Sequence, residues 1–290
     1  MKKNLFTLLM VLGCIGLFTA CSSSDSEEDN NGGSGDEVTV EGAWKVNTKD
    51  ALDSDWEPED IKISLDIIPL LEGFKDGKND VVLSEFQAKL KKEGKSTIDL
   101  TTGAIAELVE SYGSAGIAEE LKTVIFDEDS NIRATYDGAT TASPKGLATY
   151  KLGKASTMSV QLYAAEIIKE ADVDANVGAI LKKVLHRPFT VVYDLDKKEK
   201  TLECGLDKEG LQDALLRITD NIEDILNLIP EDGVDFPAAV LAMIPDTAKP
   251  MVPNKIPADV IKNIVNQIMT QLPDVLDKTT EFNLELNLMK

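Results

Sequence analysis

The chain has 290 residues, 51 Asp and Glu against 30 Lys and Arg, and a formal net charge of −21. A charge so negative repels nucleic acid and anionic lipid surfaces, so nucleic-acid binding is excluded as a first reading and neutral, apolar or cationic partners are favoured. The length is enough to bury a core without help from disulfides.

Met1-Lys2-Lys3 leads into an apolar run from Leu5 to Phe18, which ends at Thr19-Ala20-Cys21. A basic start, a short apolar stretch and a small residue before the cleavage point form a secretory signal. Cysteine directly after that point makes it a lipoprotein signal. A helix of about 14 residues spans about 21 Å, too short for a ~30 Å hydrocarbon core, which argues against a simple membrane anchor. Residues 1–20 therefore read as a leader and Cys21 as the acylated first residue of the mature protein, binding it to a lipid bilayer.

Residues 21–37 are an acidic Ser/Gly-rich tether. They hold no aromatic or aliphatic side chain before Val38 and cannot bury enough apolar surface to order themselves. A flexible segment of about 16 residues reaches about 20–25 Å, enough to hold a domain off the headgroups. The run Cys21 to Asp29, a lipid-accepting cysteine followed by serines and an acidic cluster, resembles the export signal of Bacteroidota surface lipoproteins. That resemblance implies an outer-membrane lipoprotein facing the cell surface. A plain acidic tether on the periplasmic face is the alternative.

From Val38 onward the residues read as one α+β domain, 38–290. Val38, Val40, Trp44 and Val46 alternate with polar neighbours, which predicts a first strand. Gly42-Ala43-Trp44 is similar to the Gly-x-Trp of lipocalins. Trp56 lies in Ser54-Asp55-Trp56-Glu57-Pro58, a polar loop context that makes it the best candidate for an exposed ring, with the anchor of a folded-over loop as the equal alternative. Ile61, Ile63, Leu65 and Ile67 predict a second strand, and a helix follows near 80–93.

Gly94-Lys95-Ser96-Thr97 has the tail of a phosphate-binding loop, but Lys89 stands where the pattern needs glycine, so a turn ending that helix is predicted. A helix near 104–122 precedes two strand pairs of similar sequence. Thr123 to Asp127 returns through Ile132 to Tyr136, and Thr190 to Asp194 returns through Lys200 to Cys204; both read as hairpins. Asp127, Asp129 and Asn131 have the 1, 3, 5 spacing of a calcium loop. Ile132 and Gly138 occupy the positions that would need Gly and Glu, so a hairpin turn is expected there and no metal site.

Met158, Val160 and Leu162 predict a further strand, and helices follow near 164–170 and 174–186. His186, the only histidine, sits before Arg187-Pro188 at a helix end, where it can cap carbonyls. One helix is predicted from near Asp207 to a stop at Pro230 and another with Pro257 in its first turn and Pro273 near its end. Gly233 to Pro257 reads as a rigid connection with a short helix at Ala238–Ile244. Phe282, Leu284, Leu286 and Leu288 end the chain as the cleanest alternating strand.

Alternating strands with one wet face indicate an antiparallel sheet. The helices also carry wide apolar faces, and packing them on the wet side would bury unpaired Asp, Glu and Lys. The expectation is a curved antiparallel sheet packed against or wrapped around amphipathic helices, with a lipocalin-like barrel carrying inserted helices as the alternative.

No catalytic motif or cofactor signature is present. Of three cysteines, Cys14 leaves with the leader, Cys21 takes lipid, and only Cys204 remains. The resulting expectation is a non-enzymatic binding lipoprotein for an apolar or lipid small molecule, with Trp44 and Trp56 as candidate ligand contacts. A glycan-binding accessory of a surface uptake system and a structural or protein-interaction role in the envelope are the alternatives. An exposed Trp56 supports the glycan reading; a buried one counts against it.

Overall fold

A computed structural model describes residues 38–75, 77, 80–235 and 255–290. The leader, the tether with Cys21, and the short helix expected at Ala238–Ile244 lie outside the described residues. The fold is α+β: among the described residues are eight helices and a nine-stranded antiparallel sheet that does not close into a barrel. The lipocalin-like alternative is therefore not the fold.

The chain forms two compact units. Unit 1 contains the described residues up to Pro58, then Gly103–Ile222 and Thr279–Lys290; unit 2 contains Glu59–Thr102 and the described residues of Glu223–Lys278.

Unit 1 contains the large sheet. In chain order its strands are β1 (Gly42–Val46), β2 (Leu52–Glu57), β5 (Leu121–Phe126), β6 (Ile132–Tyr136), β7 (Ala148–Leu152), β8 (Thr157–Leu162), β9 (Phe189–Asp196), β10 (Thr201–Asp207) and β13 (Glu281–Met289). Their spatial order is β6-β5-β1-β13-β10-β9-β8-β7, and β2 continues along the same edge of β13 as β1. The two predicted hairpins are β5/β6 and β9/β10. Asn287 marks the passage from β1 to β2: its carbonyl accepts from Asn47 N–H and its N–H donates to Ala51 O.

The alternation read from the sequence places one face inward. Trp44, Val124, Phe126, Met158, Val160, Phe189, Val191, Leu202, Cys204, Leu286 and Leu288 are all buried. The sheet curls so far that Phe126 on β5 and Tyr150 on β7 meet edge to face, with ring centroids 5.2 Å apart. A bridge from Asn131 to Thr149 and a bond from Tyr150 N–H to Ser130 O (2.8 Å) tie the outermost strands at one end.

Three helices of unit 1 lie between β8 and β13 in sequence: α4 (Ala164–Glu170), α5 (Ala175–Val184) and α6 (Lys208–Thr219). Asp174 and Asp207 cap α5 and α6 by accepting from Asn176 and Gly210 N–H. Gly210 of α6 lies against Leu206 and the Thr190 carbonyl, so α6 packs on the apolar face as the solvation argument requires. α3 (Thr102–Glu120) covers the free edge of β2, where the Ser114 hydroxyl accepts from Leu52 N–H and donates to Leu52 O.

Unit 2 holds the hairpin β3 (Lys62–Asp66) and β4 (Thr97–Thr101), helices α1 (Ile67–Gly73), α2 (Asp80–Glu93) and α8 (Ala258–Lys278), and a short pair β11 (Val234–Asp235) and β12 (Lys255–Ile256). The short helix α7 (Ile222–Leu226) leads into it. At the end of α2, Gly94 takes φ +68° and Lys95 N–H returns to Leu90 O, so Gly94-Lys95-Ser96-Thr97 is the expected helix stop.

Three boundaries differ from expectation, each for a local reason. Ile67 does not extend β3, because Asp66 accepts from Ile68 N–H and starts α1. Trp56 is in a strand, β2, not a loop. The helix expected from Asp207 to Pro230 breaks after Thr219, where Thr219 Oγ1 and Asn221 Nδ2 donate to Leu215 O and Arg217 O and compete for helix carbonyls. Pro273 lies near the end of α8 as expected, and the helix runs on to Lys278 with Leu272 and Val275 buried. That burial offsets the backbone bond that a proline removes.

Candidate functional site

Both tryptophans proposed as ligand contacts are core residues. Trp44 is fully buried; its Nε1 donates to Val40 O at 2.7 Å, and Lys290 Nζ lies 4.4 Å from its ring centroid. Trp56 is 7% exposed, donates from Nε1 to Thr279 Oγ1 at 2.8 Å, and meets Phe282 edge to face at 5.2 Å. A ring so placed offers no open face to a sugar. The structure does not bring the two indoles to a common opening: Trp44 pairs across to Val124 on β5, and Trp56 to Phe282 on β13.

The groups suited to nucleophilic or metal chemistry have structural tasks. His186 is exposed, and its Nδ1 donates to Lys183 O at 2.5 Å, the expected cap. Cys204 is buried among apolar neighbours, and that burial, with Glu285 and Glu203 nearby, pushes its thiol up to about 12. A thiol so held stays protonated and is a poor nucleophile. In the Asp127 turn, Oδ1 accepts from Asp129 and Asn131 N–H. The Lys145 ammonium lies 2.7 Å from Asp129 and 3.6 Å from Asp127, where a bound cation would stand. Among the described residues no group of three or more His, Cys, Asp and Glu is placed to hold a metal.

The outer face of the central strands is acidic, which sequence reasoning could not resolve among so many carboxylates. Glu285 stands opposite Asp53, and Glu203 opposite Asp194. Burial raises the carboxyls of both Glu203 and Glu285 above the ordinary glutamate range. Asp194, Asp53 and Asp196 add to this for Glu203, as do Glu203, Asp53 and Asp194 for Glu285. Gly205 lets this happen: a Cβ there would stand 2.8 Å from the Glu285 Cγ. A glycine inside a strand was the one sequence signal of such a close approach.

The raised values fix the sign of a pH effect. The folded state holds these protons more tightly than the unfolded chain. The associated stability is complete below the ordinary glutamate pKa and is lost as pH rises through the raised folded value. Glu285→Gln should therefore stabilise unit 1 at pH 7 by about 0.5–1 kcal/mol, the scale of a like-charged cross-strand pair, and the gain should fade toward pH 4. Thermal melts of both proteins across that range check it.

Apolar side chains also face outward. On α3, Leu108 and Tyr112 lie one turn apart at 49% and 56% exposure. The helix carries Glu107, Glu110, Glu119 and Glu120 and no Lys, Arg or His. On α2, Val82 and Phe86 are similarly exposed, but among Lys89, Lys91 and Lys92 as well as Asp80, Glu85 and Glu93.

No protein-family model matches this chain, and neither a curated protein nor a solved structure is similar to it.

Proposed function

We propose that the chain is a bacterial outer-membrane lipoprotein, anchored through acylated Cys21 and held off the bilayer by residues 22–37, that acts by binding a partner on its outside rather than a ligand within its sheet. The observation that carries the second half is the occupied interior. Trp44, Leu202 and Leu286 are fully buried, and Phe126, Met158, Phe189 and Leu288 nearly so, against other side chains of the sheet and its helices. An acyl chain bound there would have to displace this packing. The buried Trp56 weighs against the glycan-platform alternative.

The surface that supports an external partner is the exposed pair Leu108 and Tyr112 on α3. The helix bears Glu107, Glu110, Glu119 and Glu120 and no basic residue, which favours a partner that is basic as well as apolar and disfavours nucleic acid and anionic lipid. This is the protein-interaction reading of an envelope lipoprotein, on the cell surface or the periplasmic face.

The anchor is tested by growing cells on an alkynyl fatty acid. The wild type should incorporate the label and sediment with outer membranes, whereas Cys21→Ser should lose both. Label retained by Cys21→Ser would remove the anchor from the account.

A further inference from the structure

Among the described residues the hairpin β3/β4 is only two strands wide, and no other strand of them covers the second edge of β3. Backbone groups along a strand alternate in direction. On the β4 side Ile61 O accepts from Thr102 N–H and Ile67 N–H donates to Ser96 O, which leaves Ser64 and Asp66 directed to the other edge. Two glutamines of α8 meet them. Gln271 Oε1 accepts from Ser64 N–H (2.9 Å) and its Nε2 donates to Ser64 O (2.8 Å). Gln267 Oε1 accepts from Asp66 N–H (2.6 Å) and its Nε2 donates to Asp66 O (3.1 Å).

The match follows from two periodicities. Residues four apart on a helix rise by about 6 Å, and residues two apart on a strand rise by about 6.6 Å. Each carboxamide presents one donor and one acceptor, the same pair as a peptide group. The glutamine pair thus supplies two of the peptide groups that a neighbouring strand would supply. Further bonds hold the amides in place: Gln267 Nε2 to Asn263 Oδ1 (2.5 Å), and Gln271 Nε2 to Gln267 O (2.9 Å).

We propose that Gln267 and Gln271 form a guard that keeps β3 from taking up another strand, and that without it β3 pairs with β3 of a second copy. An uncovered strand edge is a template for another chain, and natural sheets block such edges with charge, proline or a covering element. Here the cover is two side-chain amides on a helix, which makes it removable without changing the strand itself.

The test uses Gln267→Leu/Gln271→Leu, which keeps side-chain bulk and removes the amides. Light scattering across a 100-fold concentration range should show a monomeric wild type and a variant that at least doubles its mass at the high end. Adding Ser64→Pro to the variant removes the outward N–H while sparing the β4 ladder and should restore the monomer. A double variant that stays monomeric, or one that associates equally with Ser64→Pro, overturns the proposal.

If the double variant unfolds, the single variants decide by amide exchange. Gln271→Leu should speed exchange at Ser64, and Gln267→Leu at Asp66, by at least tenfold each. Unchanged exchange at both overturns the guard.

Discussion

Arg217→Leu should lower the stability of unit 1 by about 3–5 kcal/mol, the cost of breaking a buried charged network. Arg217 is 2% exposed on the buried side of α6. Its Nη1 donates to Arg187 O (2.8 Å) and Val184 O (3.3 Å), and its Nη2 to Pro188 O (2.6 Å) and to Asp213. The guanidinium carbon lies 3.8 Å from the centroid of the Phe189 ring. One side chain thereby fixes the passage from α5 to β9, with Asp213 also paired to Arg187 at the surface.

Leucine would leave three carbonyls short of a donor, each costing about 1–3 kcal/mol where water cannot replace it. Both tryptophans, Trp44 and Trp56, belong to unit 1, so their fluorescence reports this unit alone. In urea the midpoint should fall by about 2 M. Arg217→Lys should recover only part of the loss, since an ammonium lacks the planar fork. A fall below about 0.5 M for Arg217→Leu would mean that the network holds little.

Gly205→Ala should cost about 3 kcal/mol, at the upper end of overpacking, although it adds one methyl. The new Cβ would stand 2.1 Å from Leu284 O and 2.8 Å from the Glu285 Cα. Those atoms are backbone, and β10 and β13 are paired from Thr201–Met289 to Asp207–Asn283 in the middle of the sheet. Relief therefore needs the two central strands to part. An unchanged fluorescence midpoint would show that the sheet yields there without cost.

The parts of the fold legible in the sequence are those where one period dominates. β13 and β8 alternate cleanly because one face is buried and the other wet, and both hairpins are marked by polar turns between apolar runs. β2 escaped because Asp53, Asp55 and Glu57 make it look like a loop; it is a strand because β13 supplies its ladder. β4 has only Ile98 and Leu100 to mark it, and α1 carries Pro69 and begins where Ile67 continues the alternation of β3. The split between α6 and α7 depends on side-chain bonds at Thr219 and Asn221 that compete with the helix.

The proposed binding surface was less legible than the fold. Trp56 in a polar stretch suggested an exposed ring, but Thr279 and Phe282, far along the chain, enclose it. Gln267 and Gln271 are ordinary helix-surface residues in sequence; only β3 beside α8 gives them a task. Nothing in the sequence sets Leu108 and Tyr112 apart within the helix near 104–122, and their exposure is a tertiary fact.

The most direct test of the account is native mass spectrometry of residues 22–290, alone and with a Lys/Leu amphipathic peptide, before and after organic extraction. The account predicts the mass of the bare chain when it is alone. It also predicts a one-to-one complex with the peptide, which Leu108→Ser/Tyr112→Ser loses. A bound species of a few hundred daltons that extraction removes would contradict the filled interior, and equal binding of the peptide by the variant would contradict the surface on α3.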